Sequence, residues 1–157
     1  MYQWLFGLPK AVNGFAQIGK YHDIEVEDEV TAYFEHENGM VAHFIVSTAE
    51  SPGSNRLEIS AENGKLIYED GTLTFYQNVK SMLDVLRNSE VVFDNIECWK
   101  SVIAIDNNLP RGHHVVVGKF INSILNKKED LFAHGTEGVN SVMLANAIIL
   151  SSLKTRK

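Results

Sequence analysis

Three dipeptides, Asn38-Gly39, Asn63-Gly64 and Asp70-Gly71, constrain this chain more than any other feature. Each stands between runs that alternate apolar and polar residues, the strongest short-range signal for a hairpin with a tight primed turn. Before Asn38, Val30, Ala32 and Phe34 share one strand face, while Thr31, Tyr33 and Glu35 take the other. Met40, Ala42, Phe44 and Val46 resume the pattern, and Leu57, Ile59 and Ala61 extend it. Leu66 with Tyr68, then Leu73 with Phe75, complete it. The spacing predicts a continuous antiparallel meander over residues 30–77, with residues 10–20 adding a first strand ahead of it. A one-residue slip would expose every apolar position, so the alternation also fixes the register.

Two helices follow. In "GHHVVVGKFINSILNKK", Val116, Val117, Phe120, Ile121, Ile124 and Leu125 recur at helical spacing and form one apolar stripe. In "TEGVNSVMLANAIILSSL" apolar residues occupy nearly every face, which predicts a largely buried helix; "NKKEDLFAHG" connects the two. A sheet with one apolar face needs a cover, and these helices can supply it. The expected class is α+β: a largely antiparallel sheet of about six strands, helices on one face, the other face open for oligomer contacts. Residues 78–111 stay ambiguous, since Met82, Leu83 and Leu86 could line a helical turn and "SVIAI" could be a strand. The chain opens on "MYQWLFGLPK", where Trp4, Leu5 and Phe6 read as a helix turn and Gly7-Leu8-Pro9 as its stop. No capping residue precedes that turn, and isolated helices shorter than about 12 residues are marginal in water.

At 157 residues the chain fits one domain. Its net charge of -6 argues against a nucleic-acid surface, and the basic tail Lys154-Thr155-Arg156-Lys157 reads as a solvated helix end. Cys98 stands alone, so no intramolecular disulfide is possible and a reducing cytoplasm is the expected home. No apolar run reaches the roughly 18 residues of a membrane helix, and no signal-peptide pattern opens the chain.

The chemistry on offer is sparse. None of the eleven glycines takes the G-x-G-x-x-G spacing of a dinucleotide loop; Gly135 and Gly138 give only G-x-x-G, at a helix start where they can cap. The acidic run "HDIEVEDEV" would need several groups converging at about 2.0–2.6 Å to hold a metal. Glu25, Glu27 and Glu29 instead space out by about 7 Å along one strand face, which suits solvent better. His113 and His114 diverge by about 100° at a helix start. His113 could serve as a general base or a sugar-hydroxyl contact, or could simply cap or pack. "STAESPGSNRLEI" gathers Ser47, Thr48, Glu50, Ser51, Ser54, Asn55 and Arg56 between two strands. It can hydrogen-bond a polyol, or it can be an ordinary turn on Pro52-Gly53; both readings stand.

"QWLFGLPK", the stretch from "KYHDIEVEDEV" through "SPGSNRLEISAENGKLIYEDGTLTFY", and the closing "VGKFINSILN…GTEGVNSVMLANAIILSSL" resemble the C-terminal domain of the Gfo/Idh/MocA oxidoreductases. That family includes glucose–fructose oxidoreductase and inositol 2-dehydrogenase. The resemblance implies that residues 1–157 are one substrate and oligomerisation domain. An N-terminal Rossmann domain in the parent protein would bind NAD or NADP, and a sugar, inositol or related polyol would be the substrate. It also implies a cut chain, since the catalytic segment would lie upstream of Met1. No catalytic residue carries over, no cofactor is expected to bind this chain, and the chain alone is expected to be inactive. The candidates for lining a substrate pocket are Tyr21, His22, Ser51, Asn55, Arg56 and His113. A homodimer or higher homo-oligomer is expected, joined through an open sheet face carrying Tyr33, Val41, Ile45, Ile67 and Tyr76. The competing reading is a stand-alone binding or dimerisation module without redox chemistry.

Overall fold

The computed structural model describes residues 1–91, 95–105, 112–127 and 134–155. Its elements run α1 (Tyr2–Phe6), β1 (Ala11–Ile18), β2 (Glu27–Glu35), β3 (Val41–Ser47), β4 (Arg56–Ala61), β5 (Gly64–Glu69), β6 (Thr72–Asn78), α2 (Met82–Asn88), β7 (Cys98–Ile103), α3 (His113–Asn126) and α4 (Gly135–Thr155). The class is α+β, and every strand pair is antiparallel. The strands form two sheets, β1-β2-β3 and β4-β5-β6-β7, rather than one continuous meander. The chain divides into two compact units, Met1–Glu50 with Pro110–Lys157, and Ser51–Leu109. The break falls between β3 and β4, where "TAESPGSN" carries no apolar alternation and Pro52 has no N–H to give a ladder. Both readings of the ambiguous stretch hold in part: Met82, Leu83 and Leu86 belong to α2, and "SVI" ends β7. Most of the α3–α4 connection and the last two tail residues lie outside the described residues.

In the first unit, β2 is the central strand and its burial alternates. Asp28, Val30, Ala32 and Phe34 point inward, while Glu29, Thr31, Tyr33 and Glu35 point the other way. The core joins Ala16, Val30, Ala32, Phe34 and Ile148, with Tyr2, Val12, Ala42 and Leu144 packed against it. α4 lies so close to β1 that a Cβ on Gly14 would stand 2.6 Å from the Ile148 carbonyl oxygen. It also covers the free edge of β1: Gly14 N–H donates to Ser151 Oγ at 3.0 Å and Ala16 N–H to Ser152 Oγ at 2.9 Å. Covering an edge this way removes a template for unwanted strand pairing. α4 buries only Ile148 and Ser152, and Val139, Val142, Met143, Leu150 and Leu153 are exposed, so it is not the buried helix its composition predicts. A single helix touches a three-stranded sheet along one stripe only. α3 is helical as its spacing predicts, but none of its residues is buried.

The uncapped α1 is held by tertiary contacts. The Tyr2 ring packs 4.9 Å from that of Phe34, and its hydroxyl meets His36 Nε2 at 2.6 Å. Gln3 Nε2 donates to the Glu137 carbonyl at 3.2 Å and to Ser141 Oγ at 3.3 Å. Such contacts replace the intrinsic stability that so short a helix lacks.

The three signal dipeptides, two of them in the second unit, can be compared with what they build. Asp70 and Gly71, both at positive φ (47° and 75°), join Glu69 to Thr72 in the expected two-residue turn. At the preceding hairpin Ala61 pairs with Gly64, so the loop residues are Glu62 and Asn63 and the glycine already belongs to β5. Gly64 is needed for a different reason: a Cβ there would sit 2.0 Å from the Tyr76 carbonyl oxygen. Asn38-Gly39 lies in a longer loop of the first unit, where only Gly39 (φ 83°) takes the left-handed conformation. Ile67 and Tyr76 belong to the second sheet, so they do not share a sheet face with Tyr33, Val41 and Ile45.

Candidate functional site

The most organised polar cluster sits where β1 turns into β2. Gly19, at φ 58°, leads the chain away from β1, and its N–H donates to the Val26 carbonyl at 3.3 Å. The turn is gathered around Asp28. Its Oδ1 accepts from Lys20 N–H at 3.1 Å, and its Oδ2 accepts from Tyr21 N–H at 2.6 Å and His22 N–H at 3.1 Å. Thr48, just past β3, ties in from the other side: its N–H and its hydroxyl both donate to the Asp28 carbonyl, at 3.0 and 3.2 Å.

The His22 ring stands over this anchor. Its Nδ1 is 3.3 Å from Thr48 Oγ1 and 3.5 Å from Asp28 Oδ2, and its side chain keeps 47% of its surface in solvent while that of Asp28 keeps none. Beside it, Tyr21 donates its hydroxyl to Glu29 Oε2 at 2.6 Å, and Lys20 Nζ reaches both Glu29 oxygens at 2.7 Å.

Burial alone would push the Asp28 carboxyl up. The backbone N–H groups of Tyr21, Lys20 and His22, with the His22 ring, outweigh that and hold it below the usual carboxylate range. Glu29 is also lowered, first by Lys20 and then by the Tyr21 hydroxyl, and Lys20 is raised in turn by Glu29 and Tyr21. The result is an anionic, fully anchored base that presents an imidazole and a phenol on the surface.

Of the expected site residues, Tyr21 and His22 therefore come together. Ser51, Asn55 and Arg56 belong to the second unit. There the Arg56 guanidinium is engaged at 2.5 Å by Glu58 and 2.7 Å by Glu69, and Lys65 joins Glu58 at 2.5 Å. His113 is the exposed first residue of α3. A groove of about 390 Å³ runs beside α2, lined by Lys80, Ser81, Asp84, Val85, Asn88 and Ser89, and holds none of the expected residues. Among the described residues no group of three His, Cys, Asp or Glu could hold a metal ion.

Asp28 is the member that sequence reasoning missed, and Thr48 was named in its loop but not among the pocket-lining candidates. The signal was present for Asp28: counting back by two from Phe34, Ala32 and Val30 puts it on the inward face. The tie of Thr48 to Asp28 had no comparable mark, because it depends on where β3 ends against β2.

Residues 1–67 match the family model described as the GFO/IDH/MocA C-terminal domain. The resemblance read from the sequence is thereby shown over that stretch. No curated protein sequence matches the chain. Among solved structures, the WlbA dehydrogenase from Bordetella pertussis in complex with NADH and UDP-GlcNAcA is similar over 98% of this chain and 41% of its own, at 20% identity and a TM-score of 0.66. UDP-N-acetylglucosamine 3-dehydrogenase GnnA from Acidithiobacillus ferrooxidans is similar over 95% of this chain and 42% of its own, at 17% identity and 0.65. The protein YvaA from Bacillus subtilis is similar over 99% of this chain and 47% of its own, at 17% identity and a TM-score of 0.55. The fold is thus shared across almost all of the chain, which spans less than half the length of each of these proteins.

Proposed function

We propose that this chain is the C-terminal, substrate-positioning and oligomerisation domain of an NAD(P)-dependent oxidoreductase acting on a sugar, inositol or related polyol. The observation that carries the reading is the match of residues 1–67 to the C-terminal domain of that family. Of the similar structures, one is a dehydrogenase with NADH and a UDP-sugar bound and one is a UDP-N-acetylglucosamine 3-dehydrogenase, which favours a hydroxyl-rich substrate. In the parent protein a hydride would pass between a substrate carbon and the nicotinamide, held by a separate dinucleotide-binding domain. This domain's share is orientation, and near-attack positioning can remove about 7–11 kcal/mol from a barrier. The candidates for taking a hydroxyl are Tyr21, His22 and His113 in the first unit and Ser51, Asn55 and Arg56 in the second. The lone Cys98 fits a reducing compartment such as the cytoplasm.

Self-association belongs to the same proposal. The face of the first sheet turned away from α4 exposes Phe15, Val41 and Ile45, the last at 75%, with Tyr33 half-buried among them. Exposed apolar groups on one sheet face favour an interaction surface there, and a two-fold pairing would bury them on both copies.

The test is protein expressed from the reading frame extended upstream of Met1, assayed for NAD(P)H formation with myo-inositol, glucose and UDP-N-acetylglucosamine. Substrate-dependent NAD(P)H formation supports the proposal. A folded product that binds neither NAD nor NADP contradicts it and favours a stand-alone module.

A further inference from the structure

We infer that His22, with 47% of its side chain in solvent, is a tautomer-locked hydrogen-bond acceptor, fixed with its proton on Nδ1 so that a bare Nε2 can take the O–H of a hydroxylated ligand. The Asp28 carboxylate beside Nδ1 favours one assignment of hydrogens over the other. The Thr48 hydroxyl can give its single proton to the Asp28 carbonyl oxygen 3.2 Å away. In that arrangement Thr48 Oγ1 turns a lone pair toward His22, at 3.3 Å. The second neighbour, Asp28 Oδ2 at 3.5 Å, is a carboxylate oxygen that is acceptor-only when ionised.

Ionisation is secured by the backbone. Three N–H groups already point at the Asp28 carboxylate, and they favour its charged form. A bare Nδ1 would oppose its lone pair to the ionised carboxylate, whereas a protonated Nδ1 meets two oxygens that can accept. The proton is therefore assigned to Nδ1. In a neutral imidazole the other nitrogen is then an acceptor. Asp28 and Thr48 are positioning residues here, since they act on a ligand only through His22. The arrangement follows the general rule that the partner of one ring nitrogen decides what the other can do.

The lock itself stands on these contacts alone. The choice of a polyol as the hydroxylated ligand rests on the functional proposal above.

The experiment uses the 15N-labelled chain and long-range 1H–15N correlation at alkaline pH, where the ring is neutral. The wild type should show His22 with a protonated Nδ1 and an unprotonated Nε2, opposite to the preference of a free histidine side chain. Asp28→Asn and Thr48→Val should each raise the Nε2–H population. Should Asp28→Asn fail to fold, Thr48→Val decides alone. A wild-type ring protonated on Nε2, or a tautomer that no folded variant moves, overturns the lock. For the ligand, the rate of diethyl pyrocarbonate modification at His22 is followed by mass spectrometry, with exposed His114 as internal reference. Myo-inositol should slow His22 several-fold and leave His114 unchanged. An unslowed His22 overturns its assignment as a polyol contact, while the oxidoreductase reading is judged separately by NAD(P)H formation.

Discussion

At Asp28 the inward face of β2 meets a charge, and the chain answers by wrapping three backbone donors around it. That arrangement has a definite pH consequence. The folded carboxyl titrates below its ordinary value of 3.8, so its stabilising contribution is complete above that value and is lost as pH falls through the lower folded pKa. Asp28→Asn should therefore flatten the acid limb of the stability profile, measured by urea unfolding between neutral and strongly acidic pH. An unchanged acid limb would show that other carboxylates carry it. Gly14 offers a second residue-scale test, because its missing side chain is what lets α4 approach β1. Gly14→Ala forces either the helix or the strand to shift, at a cost of about 1–3 kcal/mol, read as a fall in the urea midpoint at constant m. The two positions differed in legibility. The period of two placed Asp28 on the buried face, yet its acidic neighbours suggested a solvated one; nothing around Gly14 announced a helix from the far end of the sequence.

Among the elements, hairpins were the most legible, although the same dipeptide proved to do different work in each. Asp70-Gly71 supplies the two left-handed residues of a primed turn, whereas Gly64 is selected by the approach of β6 and Gly39 by a longer loop. Local turn chemistry is written in the sequence; close approach between strands is not. The division into two sheets was hidden for the same reason, since alternation reports that a strand has two faces and not which strand lies beside it. α3 and α4 were readable as helices from their spacing, but their burial depended on how much sheet was available to cover. The β1–α4 contact gives the prediction at this scale. Ser152 Oγ, buried, accepts from Ala16 N–H at 2.9 Å and is 3.4 Å from the Ala16 carbonyl oxygen. Ser152→Ala removes the hydroxyl that accepts from this N–H, which should cost about 0.5–1.5 kcal/mol and speed hydrogen exchange at Ala16 selectively. Exchange that accelerates equally at every amide of β1 would mean the serine holds the helix and not the edge.

For the molecule as a whole, the exposed face of the first sheet predicts self-association. Sedimentation at micromolar concentration should show a dimer or larger species, and Ile45→Glu should shift it toward monomer. Ile45 is 75% exposed, so the substitution should leave the fold intact. A wild-type chain that stays monomeric would remove this part of the account. The central claim is larger: that these residues serve the substrate side of an enzyme whose cofactor is held elsewhere in the same polypeptide. The most direct measurement is to read the coding sequence upstream of Met1. The account predicts a continuous open frame that encodes G-x-G-x-x-G between a strand and a helix, the loop that presents backbone amides to a pyrophosphate. An in-frame stop codon immediately upstream, with no such motif in the frame, would contradict it.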